Sequence, residues 1–123
     1  MISRKRSKRK VSGGLYKPSR KKRKSETGRV PVMTIIGEVR NRIERVLGGN
    51  IKQKTVKTDT LNLFDGKSYV KAKIKTVVDN NANRNFIRQN ILTKGAIVET
   101  DKGKAKITSR PGQSSSVSGV LVK

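Results

Sequence analysis

The sequence predicts a mainly all-β protein, a small sandwich or barrel of about six short strands preceded by a long basic N-terminal extension. Three observations carry this expectation. Stretches beyond residue 60 alternate apolar and cationic side chains with the period of two that a half-buried strand requires. Short sequences rich in Asp and Gly, the residue types of tight turns, join those stretches. The first 29 residues hold thirteen Lys or Arg against one carboxylate, Glu26, and contain no apolar run from which a core could be built.

Residues 1–29 therefore read as an extension, disordered until a polyanion orders it, and residues 30–123 as the folded domain. Two basic clusters, 4–10 and 20–24, are separated by Ser12-Gly13-Gly14 and Pro18. Glycine permits positive φ and close backbone approach, and proline fixes φ, so the extension is expected to follow a kinked path once bound.

Residues 30–57 carry two competing patterns. Ile35, Val39, Ile43 and Leu47 recur every four residues, which argues for a helix ending at Gly48-Gly49. Gly48-Gly49-Asn50 is equally a turn between two strands, because glycine supplies the positive φ that hairpin turns need. Periodicity alone does not choose between them.

The remainder reads as β throughout. Residues 61–64 and 69–78 flank Asp65-Gly66, a two-residue hairpin signal of type I′. In the second of these strands Val70, Ala72, Ile74, Thr76 and Val78 share one face, and Lys71, Lys73 and Lys75 share the other. Residues 96–100 and 104–108 flank Asp101-Lys102-Gly103, with Ala105 and Ile107 inward and Lys104 and Lys106 outward. A last apolar segment, 117–122, follows a loop that begins Arg110-Pro111-Gly112-Gln113. Phe64, beside its turn, is most simply a core residue.

Charge defines the partner. The net charge of +23 is spread over the whole chain: residues 1–29 contribute +12, residues 30–58 +4 and residues 59–123 +7. A basic domain joined to a basic extension calls for a polyanion, and nucleic acid is the largest and stiffest one in a cell. The outward lysines could also serve only to keep strand edges from aggregating. Scarcity of carboxylates on the same strands favours binding.

Other classes of function are excluded or disfavoured. Cys and His are absent, which removes disulfides, thiolate nucleophiles, zinc fingers and the commonest general base. No glycine-rich nucleotide loop and no triad can be found, so neither an enzyme nor a cofactor, metal or small-molecule site is expected. No stretch is apolar enough for a secretion signal or a membrane span, so the protein is expected to be soluble and to remain in the compartment where it is made. With two Tyr and two Phe, the chain cannot build an extended platform for stacking successive bases. Contacts should go mainly to phosphate and to the shape of folded, largely double-helical RNA or DNA.

Four separated blocks also resemble one family. They are Lys8-Arg9-Lys10-Val11-Ser12-Gly13-Gly14 with Lys17-Pro18, Lys21-Lys22-Arg23-Lys24, Glu26 and Gly28-Arg29; Arg45-Val46-Leu47-Gly48-Gly49-Asn50; residues 83–96, including Asn90-Ile91-Leu92-Thr93-Lys94-Gly95-Ala96; and Thr108-Ser109-Arg110-Pro111-Gly112-Gln113. In order and over nearly the whole chain, they resemble the archaeal and eukaryotic ribosomal protein S8e family, in its compact archaeal form. The resemblance implies a β-barrel with a basic extension, a strand rather than a helix before Gly48-Gly49-Asn50, and a cytoplasmic, structural role in the small ribosomal subunit. Its implied partners are small-subunit ribosomal RNA and neighbouring ribosomal proteins, with the chain a monomer within the ribosome. Segment 39–47 departs from the family's usual run in being more apolar and less basic.

The residues expected to meet RNA are, on the extension, Arg4, Lys5, Arg6, Lys8, Arg9, Lys10, Lys17, Arg20, Lys21, Lys22, Arg23, Lys24 and Arg29, with Gly13 and Gly14 allowing close backbone approach. On the domain they are Lys52, Lys54, Lys71, Lys73, Lys75 and Arg110. A ribosome-assembly factor of the same superfamily, and a basic protein that compacts DNA, are the alternatives.

Overall fold

The computed structural model describes residues 7–17, 20, 21, 23 and 28–122, and it divides into two units, Met1–Pro31 and Val32–Lys123. Among the described residues the second unit contains nine strands and one short helix: β1 Thr34–Ile35, β2 Arg40–Arg45, β3 Ile51–Lys57, β4 Thr60–Phe64, β5 Tyr69–Asp79, α1 Asn85–Arg88, β6 Ile91–Leu92, β7 Ile97–Thr100, β8 Gly103–Ile107 and β9 Ser118–Leu121. Strands β4-β5-β7-β8-β9 close into a barrel, and β2-β3-β1-β6 form a separate four-stranded sheet.

Closure follows from alternation. Leu61 and Leu63 on β4, Ala72 and Ile74 on β5, Val98 on β7, and Ala105 and Ile107 on β8 all point inward and are buried. Each buried branched side chain contributes about 1.5–3 kcal/mol of transfer free energy, so this face holds the strands together. β9 completes the ring by running parallel to β4, with Leu63 opposite Gly119, and antiparallel to β8, with Ile107 opposite Gly119. Gly119 is there because nothing larger fits: a Cβ at this position would lie 2.9 Å from the Lys106 carbonyl oxygen and 3.3 Å from a Leu61 methyl.

The β5 alternation breaks where sequence reading carried it through. Ile74 pairs with Thr100 and Thr76 with Glu99, so Lys75 is an extra residue in a β-bulge. Beyond it Thr76 and Val78 are exposed and Val77 is buried, the reverse of the expected faces. Asn90 fixes the new register, its Oδ1 accepting from the Val77 amide at 3.2 Å; it does so from a left-handed backbone with φ 51°. The β4–β5 turn also differs. Phe64 pairs with Tyr69, which leaves four residues in the loop, closed by Asp65 N donating to the Ser68 carbonyl; Gly66 has positive φ, and Asp65 does not. A type I′ turn would need both. The β7–β8 turn forms as expected, with Thr100 opposite Gly103 and Gly103 at φ 118°.

Segment 40–57 is a β-hairpin. Arg45 pairs with Ile51 around the turn Leu47–Gly49, in which Gly48 and Gly49 both have positive φ. The helical spacing misled because it did not mark a core: Val39, Ile43 and Leu47 are all exposed. Loop 110–114 braces this hairpin. The Thr55 amide donates to the carbonyls of Pro111 and Ser114, Thr55 Oγ1 donates to Ser114 O at 2.9 Å, and Thr34 Oγ1 donates to Thr55 O at 2.7 Å.

Gly119→Ala should lower stability by about 1–3 kcal/mol, since the clash is with backbone that cannot rotate away. A lower urea midpoint with an unchanged slope would match this expectation.

Candidate nucleic-acid interface

The outward positions of the barrel follow from its inward ones. With Leu61 and Leu63 buried, Thr60, Asn62 and Phe64 of β4 face out; with Ala72 and Ile74 buried, so do Tyr69, Lys71 and Lys73 of β5. The register sets Lys71 opposite Asn62 and Lys73 opposite Thr60, so neither lysine meets a carboxylate across the pair. Lys73 is further fixed through its backbone, its amide donating to Asp101 Oδ1 at 3.1 Å. Lys75 is exposed on the bulge itself.

Sequence reasoning left Lys104 and Lys106 off the site although it placed them outward, and both are exposed on β8. They differ in setting: Lys104 stands opposite Glu99, whereas Lys106 lies between Val120 on one side and Ile97 on the other. Their alternation with Ala105 and Ile107 is the same signal that marked Lys71 and Lys73.

The β2–β3 hairpin divides its charge differently. Glu44 accepts from Lys54 at 2.6 Å and from Arg42 at 3.2 Å, with the Lys54 and Glu44 side chains only 12% and 13% exposed. Lys54 thus holds the hairpin together, and its charge is compensated within the protein. Lys52 is exposed and donates to Gln113 Oε1 at 3.1 Å, tying β3 to the 110–114 loop. Arg110 is exposed on that loop, and its carbonyl accepts from the amides of Gln113 and Ser114. At the hairpin's far end Ile43, Leu47 and Ile51 are 65%, 96% and 68% exposed, an apolar tip on a basic arm.

In the extension, residues 7–16 form a small turn. Arg9 bridges to Leu15, the Lys10 amide donates to Gly14 O at 2.8 Å, and the Tyr16 amide donates to Lys8 O at 3.2 Å. Gly13, at φ 82°, makes the reversal; Arg9 Nη1 closes it on Gly13 O at 2.9 Å, and the Lys10 ammonium lies 5.9 Å from the Tyr16 ring centre. Lys8, Arg9, Lys10, Gly13, Gly14, Lys17, Arg20, Lys21, Arg23 and Arg29 are all exposed. Arg4, Lys5, Arg6, Lys22 and Lys24 lie outside the described residues, as do Pro18 and Glu26.

Two of the family-like blocks are structural. Within 83–96 Asn90 sets the β5 bulge, while Asn80, buried just before the block, donates to Ile91 O at 3.2 Å and accepts from Thr93 Oγ1 at 3.0 Å. Within 108–113 the Pro111 carbonyl holds β3. Among the described residues no three carboxylates come together to hold a metal ion, and no helix is long and apolar enough to cross a membrane.

Comparison with known proteins matches residues 3–122 to the family model "Ribosomal protein S8e". The chain is 51% identical over 116 residues to a small ribosomal subunit protein eS8 of Nanoarchaeum equitans, covering 92% of this chain and 91% of that one. It is 48% identical over 119 residues to the eS8 protein of Methanococcus aeolicus, covering 94% and 93%. With that of Haloarcula marismortui the identity is 46% over 118 residues, covering 96% of each.

Changing Lys71, Lys73 and Lys75 together to Gln should shift the melting temperature little, because exposed substitutions of this kind each stay within about 0.5 kcal/mol. A thermal melt checks this. A large loss would mean the lysines brace the barrel.

Proposed function

The chain belongs to the ribosomal protein S8e family, and from that premise we propose that it is a structural constituent of the small ribosomal subunit held there by direct contacts to ribosomal RNA. The role is structural rather than catalytic, the site of action is the ribosome in the cytoplasm, and the protein acts as a single copy beside other small-subunit proteins.

The observation that carries RNA binding is the outward face of β4–β5, where Lys71 and Lys73 stand in register with Asn62 and Thr60 on a rigid barrel. Cations so placed have no charge to answer within the strand pair and present point charges at fixed spacing to phosphate. The hairpin, by contrast, compensates Lys54 and Arg42 with Glu44, which supports assigning it bracing as well as contact.

The extension does different work. Folded RNA packs phosphates densely enough that its helices repel one another, and Lys and Arg threaded between them offset that repulsion while releasing counterions. Thirteen cations over residues 1–29 supply the charge, and the turn at Gly13 supplies a bend that a phosphate backbone can follow closely. Residues 30–123 anchor it, and the extension takes its final path on binding.

Deleting residues 1–29 should leave a folded domain that binds small-subunit RNA far more weakly and with less dependence on salt. If the extension makes about eight phosphate contacts, the slope of log K against log salt should fall by roughly seven units. An unchanged slope would remove the extension from the interface. The triple Gln change on β5 should weaken RNA binding at nearly constant stability. Equal binding would return those lysines to edge protection. Loss of the protein from mature subunits in a high-salt wash, with retention on precursors, would instead identify an assembly factor, and equal affinity for duplex DNA would argue for a DNA-compacting role.

A further inference from the structure

The barrel's outer surface carries a groove that phosphate binding alone does not explain. One row of outward residues crosses neighbouring strands in register: Tyr69 on β5 opposite Phe64 on β4, Phe64 opposite Val120 on β9, and Val120 opposite Lys106 on β8. Phe64 is thus not a core residue, as its neighbour Leu63 is, but part of an outer apolar strip. Its ring sits 5.0 Å from that of Tyr69, tilted by 45°, and Tyr69 is 72% exposed. Beside Phe64 opens a groove of about 530 Å3, lined also by Asp65, Lys106, Val120, Val122 and the half-buried Leu121, which packs against the core.

We propose that this groove receives one unpaired nucleotide of RNA, its base stacked on Phe64 and Val120 and its phosphate held by Lys106. The inference rests on the RNA-binding reading above and adds to it a contact with a base. Charge and shape select the occupant. An apolar side chain from a protein would fit the floor and leave Lys106 without use; a duplex would bring phosphate and keep its base faces stacked within the helix. A flipped nucleotide offers a flat apolar face, a polar edge and an attached phosphate together. Lys106 stands two strand spacings from Phe64, about 9–10 Å across the sheet, which separates the phosphate end from the base end. Asp65, following Phe64, repels phosphate at the base end and can accept from a ring N–H or exocyclic amine. Tyr69 positions the Phe64 ring from the opposite side. The volume lies within the range of small-ligand sites, and a single stacked base is within reach of a chain that cannot build a longer platform.

The test compares the full-length protein on two RNA hairpins at one salt concentration, one fully paired and one with a single bulged 2-aminopurine. The wild-type chain should prefer the bulged RNA by about tenfold, with a change in 2-aminopurine fluorescence on binding. Phe64→Leu should bind both hairpins with the affinity of the paired one and lose the fluorescence change. Lys106→Gln, on the exposed face, should cut the preference without altering the melting temperature, and it remains informative if Phe64→Leu fails to fold. Equal wild-type affinity for the two hairpins, or a preference that survives both substitutions, overturns the groove assignment while leaving phosphate binding intact. Failure to bind either RNA overturns the RNA reading itself, and this proposal with it.

Discussion

With β9 laid parallel to β4, each of the five barrel strands has two hydrogen-bonded neighbours, and the ring has no edge whose amides would need water or another chain. Closure at this size leaves room inside for Ala, Val, Ile, Leu and the small Thr100, and at Gly119 for no side chain at all. Inward positions being fixed so tightly, outward ones are fixed with them. Lys71, Lys73, Phe64, Val120 and Lys106 owe the relative places of their backbones to hydrogen-bond register. The surface is therefore preorganised by the core, which lowers the entropy that a rigid partner must remove on binding.

Charge is divided along the same lines. In the β2–β3 hairpin Glu44 takes up Lys54 and Arg42, and on β7–β8 Glu99 stands opposite Lys104. On β4–β5 the partners are neutral. A net charge of +23 is thus not a uniform coat: some cations hold the protein together, and others face outward with their charge uncompensated across the strand pair. Counting lysines cannot separate the two groups. Register does, because it decides which residue stands across from which.

Much of the fold was legible in the chain. Alternation placed Ala105 and Ile107 inward and Lys104 and Lys106 outward, and Asp101-Lys102-Gly103 marked its turn, because both signals are local. What sequence missed depends on distant partners. The bulge at Lys75 is set by Asn90, fifteen residues further along, which captures the Val77 amide. Spacing at Ile35, Val39, Ile43 and Leu47 suggested a helix because periodicity presumes that apolar residues are buried, and most of these are not. The site followed the same rule. Outward lysines could be read from a period of two, whereas the Lys54–Glu44 pair depends on the register of the β2–β3 hairpin, and the strip from Tyr69 to Lys106 exists only once two hairpins and a parallel strand have met.

Parallel closure also has a consequence for the timing of synthesis. Ser118 follows its partner Asn62 by 56 positions, so at about 5–20 residues per second a growing chain waits roughly 3–11 s between making β4 and making the strand that seals it. During that interval β4 lacks the partner that closes the ring, so Leu61 and Leu63 belong to a sheet still being built, and residues 1–29 have already been made. Lysines on β5 and β8 then guard the nascent strands against pairing with one another, because charged side chains discourage edge-to-edge association. The same lysines that line the outside of the finished barrel protect the unfinished one, and the vectorial order of synthesis presents the cationic segment before the barrel exists.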